Sequence, residues 1–332
     1  MFPTVSIIVP CFNEEKRIRH LLDAIISQTY PRERLDVTIA DGGSKDATPW
    51  VIADFQREHP DLRLQVVENR VGSIPAALNV AIRASGGEII LRLDAHSAPY
   101  AGYVEKSVAA LVQGKGLNVG GVWEIHPGAE TWIARAIAVA AGHPLGVGDA
   151  LYRHAREAAV VDTVPFGCYR RALVEQIGGY DETLLANEDY EFNARIRKMG
   201  GIIWLDPAIR SIYFARSDFK ALARQYFRYG FWKLKMLRRY PGTLRWRQAL
   251  PPVFAASLIL LLLLAVPWHA FAWLLLVELG LYIFILEAVS IRLAFGGRKW
   301  FLLAGLPLAI MVMHLSWGLG FLWSIFSEKW IS

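Results

Sequence analysis

The chain has 332 residues, of which 54% are hydrophobic, and its formal net charge is +6. Its two cysteines, Cys11 and Cys168, match neither a disulfide framework nor a metal-binding spacing, so free thiols in a reducing compartment are expected. The positive charge is concentrated in residues 216–247, which carry ten basic side chains and one acidic one, whereas residues 1–215 have a net charge of −4.

Strand and helix signals alternate over the first hundred residues. Short apolar runs rich in β-branched residues predict strands, and apolar residues at helical spacing predict helices. The predicted strands are Val5–Pro10, Leu35–Ala40, Leu62–Glu68 and Glu88–Leu93, and the predicted helices between them are Glu14–Ser27, Thr48–Glu58 and Ile74–Ala84. These repeated βα units predict an α/β domain with a mostly parallel central sheet and helices on both faces.

Three polar residues, Asn13, Asp41 and Asp94, follow predicted strands. Because ligands of such sheets bind at the carboxyl ends of the strands, we expect these side chains to share one site. The sequence contains neither a G-x-G-x-x-G after the first strand nor a G-x-x-x-x-G-K-[ST] anywhere, which excludes the dinucleotide fingerprint and the P-loop. A bound nucleotide would therefore be held by side chains and a metal ion.

The segment Glu88–His96 carries two potential metal ligands, Asp94 and His96, at the end of an apolar run. In an extended segment, residues two apart point the same way, so both side chains are expected to reach one ion. A carboxylate and an imidazole suit Mn²⁺ or Mg²⁺ holding a diphosphate better than a structural zinc site. The alternative is that Asp94 only begins a turn after the strand.

Several motifs, in order, resemble the family 2 glycosyltransferases with the GT-A fold. The first two are VSIIVPCFNEE over residues 5–15 and IADGGSKDAT over residues 39–48. Asp94-Ala-His96 stands where that family carries Asp-x-Asp, with His in the last position. Three further segments of the chain resemble that family's acceptor-side segments, at residues 167–171, 178–182 and 187–190. QYFRY over residues 225–229 resembles a Q-x-x-R-W element with Tyr replacing Trp.

The resemblance covers residues 4–230 and is to bacterial exopolysaccharide glucosyltransferases of the succinoglycan type. It implies that Asp41 contacts the uracil of a UDP-sugar donor and that Asp94 and His96 hold Mn²⁺ or Mg²⁺. The residues that it implies in nucleotide-sugar binding are Pro10, Asn13, Glu15, Asp41, Asn79 and Asp94. Those that it implies on the acceptor and donor-sugar side are Glu188, Gln225, Arg228 and Tyr229.

The resemblance also makes Asp189 the general base. If transfer is a single displacement, it inverts the anomeric centre and needs one carboxylate to accept the acceptor's proton. The alternative interpretation of Glu188-Asp189 is a helix start, because acidic side chains are favourable in the first turn.

The basic region, residues 216–247, is expected to form an amphipathic helix. Its apolar residues follow helical spacing from Phe219 to Leu237, with Lys220, Arg224 and Arg228 placed off that stripe. Beside a membrane tail such a helix indicates interfacial binding to anionic head groups, which disfavours nucleic acid as the partner. Packing on the catalytic domain is the alternative.

Residues 248–332 are expected to form a transmembrane tail, since only five charged side chains occur from residue 250 to residue 326. Three stretches are long enough to span a bilayer, at Leu250–Val266, Phe271–Ile291 and Trp300–Phe326. Without a signal peptide and with a basic second connector, three crossings of the inner, cytoplasmic membrane would leave the catalytic domain in the cytoplasm and Ser332 outside. A re-entrant first pair is the alternative, and Glu278 is expected to pair with His314.

The resulting functional hypothesis is an inverting, metal-dependent hexosyltransferase. It would move glucose from a UDP-sugar to a polyprenyl-diphosphate-linked saccharide during exopolysaccharide biosynthesis, among other polysaccharide-assembly proteins. The alternatives are a polyprenyl-phosphate sugar synthase and a non-enzymatic, membrane-anchored sugar-nucleotide sensor or scaffold.

Overall fold

The structure is a computed structural model, and it describes residues 2–327. The chain divides into two compact units. Of the described residues, the first unit contains residues 2–124 and 151–213, and the second contains residues 125–150 and 214–327. The division after residue 213 lies close to the predicted boundary at residue 215, whereas residues 125–150, expected in the first domain, belong to the second unit.

A nine-stranded mixed sheet organises the first unit. Its strands are β1 (Val5–Cys11), β2 (Leu35–Asp41), β3 (Arg63–Glu68), β4 (Ile89–Arg92), β5 (Ser97–Pro99), β6 (Asn118–His126), β7 (Ala159–Val160), β8 (Cys168–Arg170) and β9 (Ile203–Phe214). The strand order is β3-β2-β1-β4-β8-β6-β9-β5, and β7 pairs with β9 outside this path. The first four strands in that order are mutually parallel, as the βα pattern predicts. The antiparallel strands β5 to β9 follow residue 96, beyond the repeated βα units.

Helices cover both faces of this sheet. They are α1 (Ile18–Ile26), α2 (Thr48–Glu58), α3 (Ile74–Ala84), α4 (Tyr103–Val112), α7 (Arg171–Ile177) and α8 (Glu188–Lys198). In β1, Val5, Ile7 and Val9 join a core with α1, α2 and α4, whereas Ile8 joins a second core with α3, α7 and α8. Successive side chains of a strand face opposite sides, so an entirely buried β1 requires a helical layer on each side.

The second unit is helical. It contains α5 (Trp132–Gly142), α6 (Pro144–Val147), α9 (Phe219–Arg239), α10 (Trp246–Ala265), α11 (His269–Gly297) and α12 (Leu302–Phe326). By length and composition, α10, α11 and α12 could each cross a membrane. They correspond to the three predicted spans, although α11 extends well past residue 291. The predicted position of Ser332 lies outside the described residues.

The two ionisable groups predicted to pair inside this unit have other partners. Glu278 Oε1 accepts a hydrogen bond of 2.6 Å from Ser257 Oγ. His314 Nδ1 lies 3.0 Å from the Tyr282 hydroxyl, and its Nε2 lies 2.9 Å from the Leu145 carbonyl. The predicted Glu278–His314 pair is therefore wrong, because neighbouring polar groups already satisfy both side chains.

The start of β4 is fixed to β1 by a close backbone approach. The Gly87 amide donates a 2.7 Å hydrogen bond to Ser6 Oγ, which in turn donates to Asp36 Oδ2 at 2.8 Å. A Cβ at Gly87 would lie 2.6 Å from the Ser6 nitrogen, whereas a Cβ at Gly86 would meet nothing within 4 Å. Only Gly87 therefore needs to lack a side chain.

We expect Gly87→Ala to destabilise the protein by about 1–3 kcal/mol, because a methyl group must displace backbone atoms of β1. Gly86→Ala is the matched control and should melt like the unsubstituted chain. Thermal unfolding of both variants in detergent, followed by tryptophan fluorescence, checks this. Equal melting temperatures for the two variants would contradict the packing argument.

Candidate active site

Two loops at the carboxyl ends of β1 and β2 are hydrogen-bonded into one surface. Asp41 ends β2, and its Oδ1 accepts a 2.6 Å bond from Ser44 Oγ. Ser44 Oγ also accepts the Asn13 amide at 2.8 Å, and Asn13 Oδ1 accepts the Lys45 amide at 2.9 Å. Asn13 has a φ of 54°, a left-handed conformation that asparagine adopts more readily than most residues. Asp41 and Asn13 therefore lie in one connected region, as the sequence predicts.

Two other residues predicted to bind the nucleotide, Pro10 in β1 and Glu15 in the loop after it, have structural roles. Pro10 is buried within β1. Glu15 Oε2 accepts the Ala47 amide at 3.0 Å, and the Glu15 amide donates to Asp46 Oδ2 at 3.1 Å. These bonds join the same pair of loops, so Glu15 supports the surface that carries Asn13 and Asp41.

Asp94 and His96 lie in a turn, because β4 ends at Arg92. The turn is closed by Ser97, whose amide and hydroxyl both donate to the Asp94 carbonyl, at 2.9 and 2.7 Å. The expectation that Asp94 and His96 point the same way from an extended strand is therefore wrong. Both residues lie in a turn, where side chains two residues apart do not follow the alternation of a strand.

The surroundings of His96 fit a metal ligand. Its Nδ1 lies 3.2 Å from Glu14 Oε1. A carboxylate on one ring nitrogen commonly fixes the tautomer and orientation of a ligating histidine, leaving Nε2 for the ion. Within residues 2–327 no group of three or more His, Cys, Asp or Glu side chains could hold a metal, so a diphosphate and water would have to complete the coordination shell.

A buried cation, Arg92, joins the turn after β4 to the first turn of α8. Its Nε donates to Asp94 Oδ1 at 3.1 Å, and its Nη2 donates to Glu188 Oε1 at 3.0 Å. Both Arg92 and Glu188 are more than nine-tenths buried. Nη1 is buried and has no hydrogen-bond partner among the described residues. Sequence reasoning missed Arg92, although a single arginine within the apolar run of β4 was a signal.

Asp189 occupies the first turn of α8, directly after Glu188. Its Oδ1 accepts the Tyr190 amide at 2.7 Å. Burial, followed by the negative charge of Glu188, raises the pKa of Asp189 to about 7, although the positive charge of Arg92 opposes the rise. Asn187, which precedes the helix, has a φ of 65°. A carboxyl with a pKa near neutrality suits a general base better than an ordinary helix-capping residue.

The carboxylates around Arg92 leave an excess of negative charge. Asp94 and Glu188 bond to it directly, and Asp189 interacts electrostatically with Arg92, Glu188 and Asp94. One arginine neutralises one of these carboxylates when all three are ionised. The remaining charge, together with the oxygen ligand of Asp94, fits a site for a divalent cation.

Asn79, predicted for nucleotide-sugar binding, fastens a loop instead. Its Nδ2 donates to the Tyr180 carbonyl at 2.9 Å and to Glu182 Oε1 at 2.8 Å. Its Oδ1 accepts the Tyr180 amide at 2.8 Å. These bonds use both amide hydrogens and the oxygen, so a structural role explains Asn79 without a ligand.

The remaining predicted residues, Gln225, Arg228 and Tyr229, lie on α9 in the second unit. Gln225 Nε2 donates to the Tyr229 hydroxyl at 2.9 Å, and Arg216 Nε donates to Gln225 Oε1 at 3.3 Å. Their assignment to the acceptor side stays a prediction.

Comparisons with known proteins show the family to which the chain belongs. The family model for glycosyl transferase family 2 matches residues 6–178, just over half of the chain. The succinoglycan biosynthesis protein ExoA of Rhizobium meliloti is 30% identical over 95% of this chain and 93% of its own length. A dolichyl N-acetyl-alpha-D-glucosaminyl phosphate 3-beta-D-2,3-diacetamido-2,3-dideoxy-beta-D-glucuronosyltransferase of Methanococcus voltae is 29% identical over 73% of this chain and 76% of its own.

The fold also matches a solved structure. The mannosyltransferase PcManGT of Pyrobaculum calidifontis, in complex with GDP-Man and Mn²⁺, has a TM-score of 0.59 and 23% identity over 95% of this chain and 88% of its own. This likeness confirms the predicted GT-A-like fold class. With the family match and the sequence relatives, it identifies the chain as a glycosyltransferase that belongs to glycosyl transferase family 2.

Proposed function

We propose that this chain is an inverting, divalent-metal-dependent glycosyltransferase acting on a polyprenyl-diphosphate-linked saccharide in exopolysaccharide assembly. The donor is a UDP-sugar, and the sugar is glucose. The observation that carries the proposal is the carboxyl of Asp189, with its pKa near neutrality, beside the Arg92 cation and the metal-ligand candidate Asp94. The names of the two relatives, one in succinoglycan biosynthesis and one acting on a dolichyl-linked sugar, support the acceptor class.

The donor would bind at the surface formed by the loops after β1 and β2. Asp41 accepts an N–H of the uracil, and Asn13 contacts the ribose. Ser44 Oγ donates to the Asp41 carboxylate and the Lys45 amide donates to Asn13 Oδ1, so both side chains are held before a ligand arrives. This preorganisation lowers the entropy lost on binding.

Asp94 and His96 would hold Mn²⁺ or Mg²⁺ at the diphosphate. When bound, such an ion neutralises the negative charge that develops on the departing nucleoside diphosphate. Glu14 orients the His96 ring, and Arg92 holds one oxygen of Asp94, leaving the other oxygen for coordination.

Asp189 would act as the general base. It takes the proton of the acceptor hydroxyl while that oxygen attacks the anomeric carbon and the bond from this carbon to the diphosphate oxygen breaks. One displacement inverts the configuration, and no enzyme nucleophile is needed. Burial, followed by the negative charge of Glu188, keeps the pKa of Asp189 high enough for it to accept the proton at neutral pH.

The membrane context supports a lipid-linked acceptor. The three apolar helices could anchor the chain in the cytoplasmic membrane, with the catalytic unit in the cytoplasm, where sugar nucleotides occur. Other polysaccharide-assembly proteins would supply the acceptor and consume the product. A lipid phosphate itself is the rival acceptor, and the assay below separates the two.

The direct test measures nucleoside diphosphate released from a panel of sugar nucleotides by the full chain in detergent, with Mn²⁺ or Mg²⁺. Polyprenyl-diphosphate-linked saccharides and polyprenyl phosphate serve as separate acceptors. We expect release from UDP-glucose only with the saccharide acceptor, and its loss with chelator. Release with polyprenyl phosphate alone would favour a polyprenyl-phosphate sugar synthase. A folded chain that binds a donor without turnover would favour a sensor or scaffold.

Replacement of the base by its amide gives a second prediction. Asp189→Asn should lower kcat at least about 100-fold, because an amide cannot accept the acceptor's proton, and should leave donor affinity within a few fold. Turnover and donor binding by calorimetry check the two expectations. Asp54→Asn, at an exposed carboxyl paired only with Arg57, is the matched control and should retain full activity. Unchanged turnover in Asp189→Asn would remove Asp189 from the chemistry.

The pH profile gives a third prediction. Because Asp189 must be ionised to act as a base, kcat should rise with pH through about 7. Glu188→Gln removes the neighbouring negative charge, which lowers the pKa of Asp189 and should move this rise to lower pH by about one unit. Steady-state kcat from pH 5 to pH 9 checks this. An identical profile in the variant would show that Glu188 does not control the base.

A further inference from the structure

The last apolar helix, α12, is the most covered of the three candidate spans. Of an apolar stretch of 18 residues in each helix, the share buried within the protein is 44% in α12, 22% in α10 and 11% in α11. Its most extensive contact is with the basic helix α9.

The backbones of α9 and α12 touch at two glycines. A Cβ at Gly230 would lie 2.0 Å from the Trp317 carbonyl oxygen, and a Cβ at Gly320 would lie 2.1 Å from the Phe227 carbonyl oxygen. Phe227 of α9 lies beside Gly320 of α12, and Gly230, which comes later in α9, lies beside Trp317, which comes earlier in α12. The two helices therefore run antiparallel. The C-terminal half of α12 therefore lies against the N-terminal half of α9.

The stretch of α9 at this contact carries several positive charges. Arg224 and Arg228 precede Gly230, and Lys233 and Lys235 follow it. Lys233 is fully buried, and its Nζ donates to the Thr243 carbonyl at 3.1 Å. Four cations within three helical turns are too costly to place in the hydrocarbon core. Because α12 lies against this stretch, residues 317–320 do not lie in the hydrocarbon core either.

The middle of α12 contacts an irregular, polar segment. His314 Nε2 lies 2.9 Å from the carbonyl of Leu145 in the single turn α6. This turn is followed by Gly148, with a φ of 61°, and by Asp149, which forms an ion pair with Arg247. Irregular backbone and ion pairs are not tolerated where lipid surrounds them. The centre and the C-terminal half of α12 thus lie beside groups that belong at or above the lipid head groups, and the residues that remain are too few to span a bilayer.

Helices α10 and α11 have the opposite character. They form an antiparallel hairpin, in which Ser257 contacts Glu278 and Phe254 contacts Tyr282. Large apolar side chains cover their outer surfaces and are exposed. This hairpin has the surface expected of segments surrounded by lipid.

From these observations we infer that only α10 and α11 cross the membrane. α12 lies with α9 in the interfacial layer, and the exposed basic side chains of α9, among them Lys220, Arg224 and Arg238, contact anionic lipid head groups. Two crossings return the chain to its starting side, so α12 ends on the side from which α9 begins. The three-crossing expectation places that end on the opposite side.

Single cysteines in the full chain test this topology. Ser327→Cys marks the end of α12, His269→Cys the first residue of α11 beside the α10–α11 connector, and Gly296→Cys the last turn of α11 before α12. Cys11 and Cys168 are buried, and the unsubstituted chain shows whether they react. Cells expressing each variant are treated with a membrane-impermeant maleimide, intact and after permeabilisation.

We expect His269→Cys alone to react in intact cells, and Gly296→Cys and Ser327→Cys to react at least tenfold more after permeabilisation. Reaction of Ser327→Cys in intact cells, as strongly as His269→Cys, would establish a third crossing and overturn the inference. If His269→Cys reacted only after permeabilisation, the α10–α11 hairpin would not cross the membrane. This result would also overturn the inference. If Ser327→Cys never reacts, fusions after residue 332 decide: fluorescent GFP supports the inference, and active alkaline phosphatase overturns it.

Discussion

The candidate active site depends on one buried cation. Arg92 projects from a strand that is otherwise apolar and bonds to Asp94 on one side and Glu188 on the other. A buried guanidinium is tolerated only when charges of opposite sign surround it, so β4 requires carboxylates from the turn after it and from α8. The same interaction therefore sets the positions of the metal-ligand candidate and of the helix that carries Asp189. Segments almost a hundred residues apart in sequence are held together by these two bonds.

The charge balance around this cation explains how neighbouring carboxyls can have different tasks. Glu188 bonds to Arg92 and stays in its ion pair. Asp189 shares the burial of Glu188 and lacks a direct bond to the cation, so its pKa is raised to about 7. Asp94 is closer to solvent and has one oxygen held by Arg92. Burial without a direct bond to the cation thus distinguishes Asp189 from both of its neighbours.

The sequence predicts the parallel half of the sheet because each βα unit there is a local pattern. Thr48–Glu58 and Ile74–Ala84 coincide with observed helices to the residue. Among the antiparallel strands, β5, β7 and β8 have only two or three residues, which is too short to show a periodicity. At the site, strand ends indicate Asp41 and Asp94, but the roles of Arg92 and of Glu14 beside His96 follow from contacts between distant segments. Asn79 is the opposite case. The family resemblance predicts that it binds a ligand, but its hydrogen bonds to a loop are enough to explain its position.

The second unit shows why composition alone does not decide membrane topology. Helices α10, α11 and α12 are about equally apolar, yet their neighbours differ. The surface of an apolar helix must be shielded from water by lipid or by protein. Hydropathy does not distinguish these two surroundings. At Gly230 and Gly320 the absence of side chains lets α9 and α12 meet backbone to backbone, so protein takes the place that lipid would occupy. The basic charge of α9 then limits the depth of both helices, because they are packed together. A segment that satisfies every compositional criterion for a span is thus held near the membrane surface by the charge of the helix beside it.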